Sequence, residues 1–323
     1  MRWEWFIKIL FFLLLFCFSF ATFAEEEVET TFDDDIDATN QYIANQWDQL
    51  NRSVDMFFTN KKSKASENKG SIFVYSSFYK KEGESIDSKY DFQLRFDLPH
   101  TTKKLKIVIE KQQDEIGNAL SDTSVTNNKT IRKDGKIVNK SDTHYTAGAN
   151  FLLVKSKYFI SFFHFGIRLD MPLNPFVKVD LQKKITTKHV NIELSQKVMM
   201  YRQEGLQEVS QLSLNRKINK NLQADLINSL VWSEETDDFI LRNNFILSQD
   251  VGTEKSLSYS LGANARLSPA FYYESYDASV SYRQLLYRDW LYGTFTLGAD
   301  FPKASDFNDE KFVQFRLDIF FKE

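Results

Sequence analysis

From residue 70 onward the chain repeats one device: apolar and polar residues alternate with a period of two, over segments of about 10–15 residues. Leu257, Tyr259, Leu261, Ala263, Ala265 and Leu267 share one face of such a segment, and Ser256, Ser258, Ser260, Gly262, Asn264 and Arg266 share the other. Phe92, Leu94, Phe96 and Leu98 likewise oppose Gln93, Arg95 and Asp97. Side chains alternate across a strand, so this period predicts amphipathic β-strands. The segments exceed the ~5–6 residues usual for globular strands and match the ~9–11 that cross a bilayer when tilted. No apolar run beyond the N-terminus reaches the ~20 residues a membrane helix needs. Two architectures fit such strands. In a soluble sheet the apolar face packs on a core; in a membrane-spanning chain only a closed barrel pairs every backbone group, with the apolar face on lipid and the polar face around a lumen.

About fourteen extended segments are predicted, over 71–80, 86–98, 102–111, 143–154, 157–170, 175–185, 188–202, 205–218, 220–233, 236–249, 254–267, 271–286, 287–301 and 309–321. Short turns and longer connections alternate, and 112–142 is the longest connection, rich in Asn, Asp, Ser, Thr and Lys. The exception is the turn at 250–253, which reads as long for the side on which it falls. The N-terminus carries the marks of a secretory signal over residues 1–24. Arg2 and Lys8 precede an apolar stretch from Ile9 to Phe20, and Thr22-Phe23-Ala24 offers small residues at a cleavage site. Cys17, the one cysteine, lies inside it, so the mature chain has no disulfide or thiolate metal site. Removing the signal's net +1 turns the overall −3 into about −4, a balance that argues against nucleic acid as a partner.

Residues 25–69 form an acidic segment, a helix over about 36–58 and a linker. Ile36, Ile43, Trp47, Leu50, Val54 and Phe57 recur at spacings of three, four and seven, which predicts one apolar stripe. That stripe, with Ile43, Trp47, Leu50, Val54 and Phe57 as contact residues, fits three roles. It can cap the mouth of a barrel, lie in a membrane interface, or dock a periplasmic partner or a second protomer.

The final segment sharpens the architecture. Val313, Phe315, Leu317, Ile319 and Phe321 oppose Gln314, Arg316 and Asp318, and the chain then ends at Lys322 and Glu323. This aromatic-ended strand resembles the C-terminal signal of bacterial outer-membrane β-barrels, carried here by Phe315, Leu317, Ile319 and Phe321. It departs from that signal in the two residues after Phe321 and in Arg316, which stands where glycine is usual. The resemblance implies an antiparallel up-and-down transmembrane barrel over 70–323, assembled by the barrel-assembly machinery. It also implies outer-membrane lipid around the barrel and both termini in the periplasm. An aromatic content of 15% suits the interfacial girdles of such a barrel, with Tyr272, Tyr273, Tyr276, Tyr287, Trp290, Tyr292 and Trp232 near predicted strand ends.

Chemistry-bearing motifs are sparse. The four histidines, His100, His144, His164 and His189, show no metal-ligand spacing. His164 and Ser161 share a segment but have opposite parity. No nucleophile elbow, phosphate loop or dinucleotide motif occurs, so neither an enzyme nor a bound cofactor or metal is expected. The strand parities send Arg95, Asp97, Lys106, Glu110, Arg168, Asp170, Arg242, Arg266, Asp277, Arg283, Arg316 and Asp318 inward. Such a set either biases a pore towards anions or pairs internally as ordinary lumen charge. Fourteen strands fall between the filled interiors of eight-stranded barrels and the open channels of sixteen. The leading expectation is therefore a narrow or gated pore for small polar solutes. A barrel that anchors an envelope complex is the alternative, and a soluble periplasmic β protein the third reading.

Overall fold

A computed structural model describes residues 32–59, 71–97, 105–113, 131–133, 136–138, 143–169, 171–268 and 270–321. The expected signal, the acidic stretch before Phe32 and most of the 112–142 connection lie outside these residues. The chain divides at Tyr42/Ile43 into two compact units, and the second, Ile43–Glu323, contains every strand. Among the described residues one helix, α1 (Phe32–Thr59), precedes the β structure.

The strands follow in order: β1 (Ser71–Lys81), β2 (Ile86–Asp97), β3 (Leu105–Gln113), β4 (Ile131–Lys133), β5 (Lys136–Val138), β6 (Thr143–Lys155), β7 (Phe159–Arg168) and β8 (Asn174–Thr186). They continue as β9 (Asn191–Tyr201), β10 (Gly205–Lys217), β11 (Leu222–Ser233), β12 (Asp238–Gly252), β13 (Lys255–Arg266), β14 (Tyr272–Tyr287), β15 (Leu291–Pro302) and β16 (Glu310–Phe321). All but β4 and β5 join one closed antiparallel barrel of fourteen strands, each paired with its neighbours in sequence, and β16 returns to β1 to close it. The closing register runs from Ile72 opposite Phe321 to Lys81 opposite Phe312. Closure removes every sheet edge, which is the condition for β structure inside lipid.

The apolar parity faces outward. Leu261, Leu297, Phe245, Phe295, Val280 and Tyr259 all remain well exposed, because side chains splay apart on the convex side of a closed sheet. Directly paired residues share a face, so the register carries one orientation from strand to strand. Aromatic clusters sit at the two ends of the wall. Trp232 lies 6.3 Å from Phe239, Tyr273 lies 5.1 Å from Tyr276, and Tyr276 lies 5.5 Å from Phe307 at the end remote from the termini. Tyr287 and Trp290 meet at 5.5 Å at the other end. These are the interfacial girdles of a transmembrane barrel.

Four details depart from the sequence reading. The turn expected to be long closes as Thr253–Glu254 alone, with Glu254 at φ 57, because β12 continues to Gly252 through a register shift. The long connection holds a short hairpin of its own, β4–β5. Tyr292 faces inward, opposite Asp318, and takes the Arg283 guanidinium over its ring instead of joining a girdle. In α1, Trp47 is buried and packs 4.5 Å from Phe96, but Leu50 is 49% exposed while Asp48 and Asn51 are buried. The buried face is thus turned away from the expected apolar stripe, since Asn51 lies a full turn beyond Trp47 and Leu50 falls beside it. Val54 is half-buried, and the Phe57 side chain lies outside those described.

Candidate functional site: the barrel interior

The inward face is a lattice of paired charges. Arg242 on β12 donates to Asp277 of β14 at 2.9 and 3.2 Å and to Asn264 of β13 at 3.0 Å. Its guanidinium is 1% exposed. Register brings them together: Arg242 pairs Asn264, which pairs Ser275, two residues before Asp277. The intervening β13 position opposite Asp277 is Gly262, whose missing side chain leaves room for the bridge. A Cβ there would lie 2.5 Å from both carboxylate oxygens and 2.6 Å from the guanidinium.

A second bridge lies at the end remote from the termini. Arg168, at the end of β7, donates to Glu204 at 2.8 Å, and Asn174, at the start of β8, donates to the other carboxylate oxygen at 2.7 Å. The Arg168 guanidinium also lies 4.4 Å from the Tyr201 ring centre. Glu204 sits in the β9–β10 turn. Its burial raises the carboxyl pKa, but the Asn174 hydrogen bond and the Arg168 charge outweigh that effect and hold it below the ordinary carboxylate range. Arg266 donates to Glu274 at 3.0 Å and bridges Asp238 at the same rim.

The opposite half of the barrel carries a third group. Arg316 donates to Asp318 at 2.6 Å, and Arg283 lies 3.7 Å from the same carboxylate. Arg316 also covers the Tyr75 ring at 4.3 Å, and the Tyr75 hydroxyl donates to Asp91. Arg95 and Lys106 are exposed on β2 and β3. The side chains of Asp97, Glu110 and Asp170 lie outside those described. Of the inward residues named from the sequence, the fold brings together Arg242 with Asp277, and Arg283 with Arg316 and Asp318. Arg168 and Arg266 find partners that the strand parities did not single out.

Period-two reasoning missed the apolar part of the interior. Met199, Tyr201, Val209, Val231 and Ile240 form a buried inward cluster on β9–β12, with Phe176 of β8 against it. Both parities are apolar where these strands end, as in Val198-Met199-Met200-Tyr201, Leu230-Val231-Trp232 and Phe239-Ile240-Leu241. That loss of alternation was the available signal. Burial is graded along the wall. On β12, Ile240, Arg242 and Asn244 are buried, Ser248 is half-buried and Asp250 is exposed. β9, β10 and β11 show the same gradient. Packing therefore fills the interior along this wall at the end remote from the termini and opens towards the other.

His164 faces inward beside Asn150, their nearest polar atoms 2.5 Å apart, while Ser161 faces outward on the same strand. No cluster of His, Cys, Asp or Glu fit to hold a metal ion occurs among the described residues.

No protein-family model matches the sequence, and no curated protein matches it. The fold is similar to that of solved outer-membrane proteins. OmpT of Vibrio cholerae shares 8% identity at a TM-score of 0.47, over 80% of this chain and 99% of that one. OccK5 of Pseudomonas aeruginosa shares 6% at 0.46, over 79% and 98%. The outer-membrane channel DcaP of Acinetobacter baumannii shares 7% at 0.45, over 79% and 96%. Its closed wall, apolar exterior and end-placed aromatic rings are the architecture of a membrane-spanning β-barrel.

Proposed function

We propose that this barrel is a narrow outer-membrane pore through which small polar solutes pass passively. The observation that supports the reading is the interior itself, largely polar and charged between its apolar clusters and packed progressively towards one end along β9–β12. A solute crossing it exchanges part of its hydration shell for hydroxyl and amide groups such as those of Ser195, Gln211, Ser213 and Ser248, all partly accessible on the inward face. Most of the inward arginines stand beside carboxylates, so the lumen presents no strongly dominant sign and selects more by size than by charge. The narrow end, built around Arg168, Arg242, Met199 and Asn244, bears the long 114–142 connection and faces the outside. Both termini then lie in the periplasm.

The test is a planar-bilayer recording on heat-modifiable, hence folded, protein. Small discrete current steps with nearly equal cation and anion permeability are expected, and complete electrical silence would rule the pore out. Orientation is read separately, by labelling a cysteine placed at residue 127 on intact cells. A second reading is that the barrel anchors an envelope complex through α1, favoured by the exposure of Leu50 next to Trp47. It requires a periplasmic protein whose retention is lost when residues 36–60 are deleted.

A further inference from the structure

The outward face carries one polar interruption at mid-height. Gln196 pairs directly with Ser210 across β9 and β10, and Asn228 pairs directly with Asn243 across β11 and β12. Glu208 lies one outward position from Ser210 on β10. All five share the parity of Leu194, Leu212, Leu230 and Leu241, so they point away from the lumen. The Gln196 amide donates to Glu208 at 2.5 Å and accepts from the Ser210 hydroxyl at 2.6 Å. Gln has no basic nitrogen, so this Ser–Gln–Glu chain cannot activate the hydroxyl as a nucleophile.

Depth makes the stripe costly in lipid. Asn228 lies four residues along β11 from the girdle residue Trp232. At about 3.3 Å per residue and a tilt near 40°, that is roughly 10 Å into an apolar belt about 25 Å tall. Gln196 is the central residue of β9. Among the described residues the other outward polar side chains cluster near strand ends, apart from the small hydroxyls of Ser76 and Ser161. Asn228 and Asn243 make no side-chain hydrogen bond among the described residues. Acyl chains offer them none.

We infer that this stripe is the contact through which a second copy of the same chain packs in the membrane. Copies inserted by one route share one orientation, so symmetry about the membrane normal brings equivalent residues together at equal depth. A carboxamide carries both donors and an acceptor and can therefore pair with its own copy, while the Glu208 carboxylate accepts from a facing amide. The surrounding surface suits such packing. Phe159, Leu181, Leu194, Leu212, Leu230 and Leu241 rim a shallow concavity of about 450 Å³ on the same wall. The inward apolar cluster of β9–β12 packs on the other side of this wall.

The experiment is oxidative cross-linking of the full chain in native outer membranes, in a Cys17→Ser background. Asn228→Cys and Asn243→Cys are each expected to give a species of twice the monomer mass, whereas Val280→Cys, equally outward but on β14, is expected to give none. Heat-modifiability of each variant certifies folding, and Leu230→Cys supplies a further site if an asparagine variant does not fold. A monomer from every stripe variant would overturn the proposal and leave lipid as the neighbour. An adduct of any other mass would overturn it in favour of a different protein. Bilayer conductance is not the readout, so failure here is separable from failure of the pore reading.

Discussion

Asp277 and Arg242 make the most exposed test of the interior at residue scale, because neither is tolerable alone. Asp277→Ala removes the carboxylate that accepts two hydrogen bonds from a 1%-exposed guanidinium, and breaking such a pair costs about 3–5 kcal/mol. Urea unfolding in micelles, followed by tryptophan fluorescence, should show that loss. Replacing both residues by apolar ones should cost much less. Gly262→Ala drives a methyl group into the same bridge and should cost roughly 1–3 kcal/mol without changing any charge. Glu204 predicts a pH effect. Its folded-state pKa is lowered, so its contribution is complete above the ordinary carboxylate value of about 4.5 and disappears as pH falls through the lower folded value. Acid unfolding of the native chain should therefore steepen below about pH 4.5, and Glu204→Gln should flatten that limb. Arg168 was legible as inward from parity alone. Its partner was not, because Glu204 stands in a turn, where period-two reasoning assigns no face.

Among the elements, β16 is the one whose role depends on another a whole barrel away in sequence. It pairs with β15 on one side and β1 on the other. Truncation before Glu310 leaves two open edges, each presenting backbone groups that lipid cannot satisfy at several kcal/mol apiece. Such a chain should yield no heat-modifiable form on gels. The alternation in β16 was readable without a structure, as were the bounds of most strands, because a two-residue period over ten or more residues leaves little room for another reading. The face buried by α1 was not readable in the same way. Its apolar stripe contains Leu50, yet the helix buries Asp48 and Asn51, since a neighbour selects the face and the period only offers candidates.

Considered as a whole molecule, the barrel should conduct weakly and with little regard to sign, because most of its inward arginines stand beside carboxylates. Asp318→Asn removes the carboxylate shared by Arg283 and Arg316. The reversal potential in a salt gradient should then move towards anion preference while the step size changes little. If the native pore already prefers anions strongly, charge pairing does not govern permeation.

Sequence alone determined which side chains share a face over most of each strand, where most strands lie and that the chain must close if lipid surrounds it. All three follow from the local geometry of an extended backbone and from the cost of unpaired peptide groups in hydrocarbon. Tertiary structure alone decided which charges meet, where inward residues of β9–β12 are packed and which outward polar groups line up across those strands. Those outcomes depend on register, and a one-residue slip between strands that looks negligible in sequence exchanges every neighbour they have.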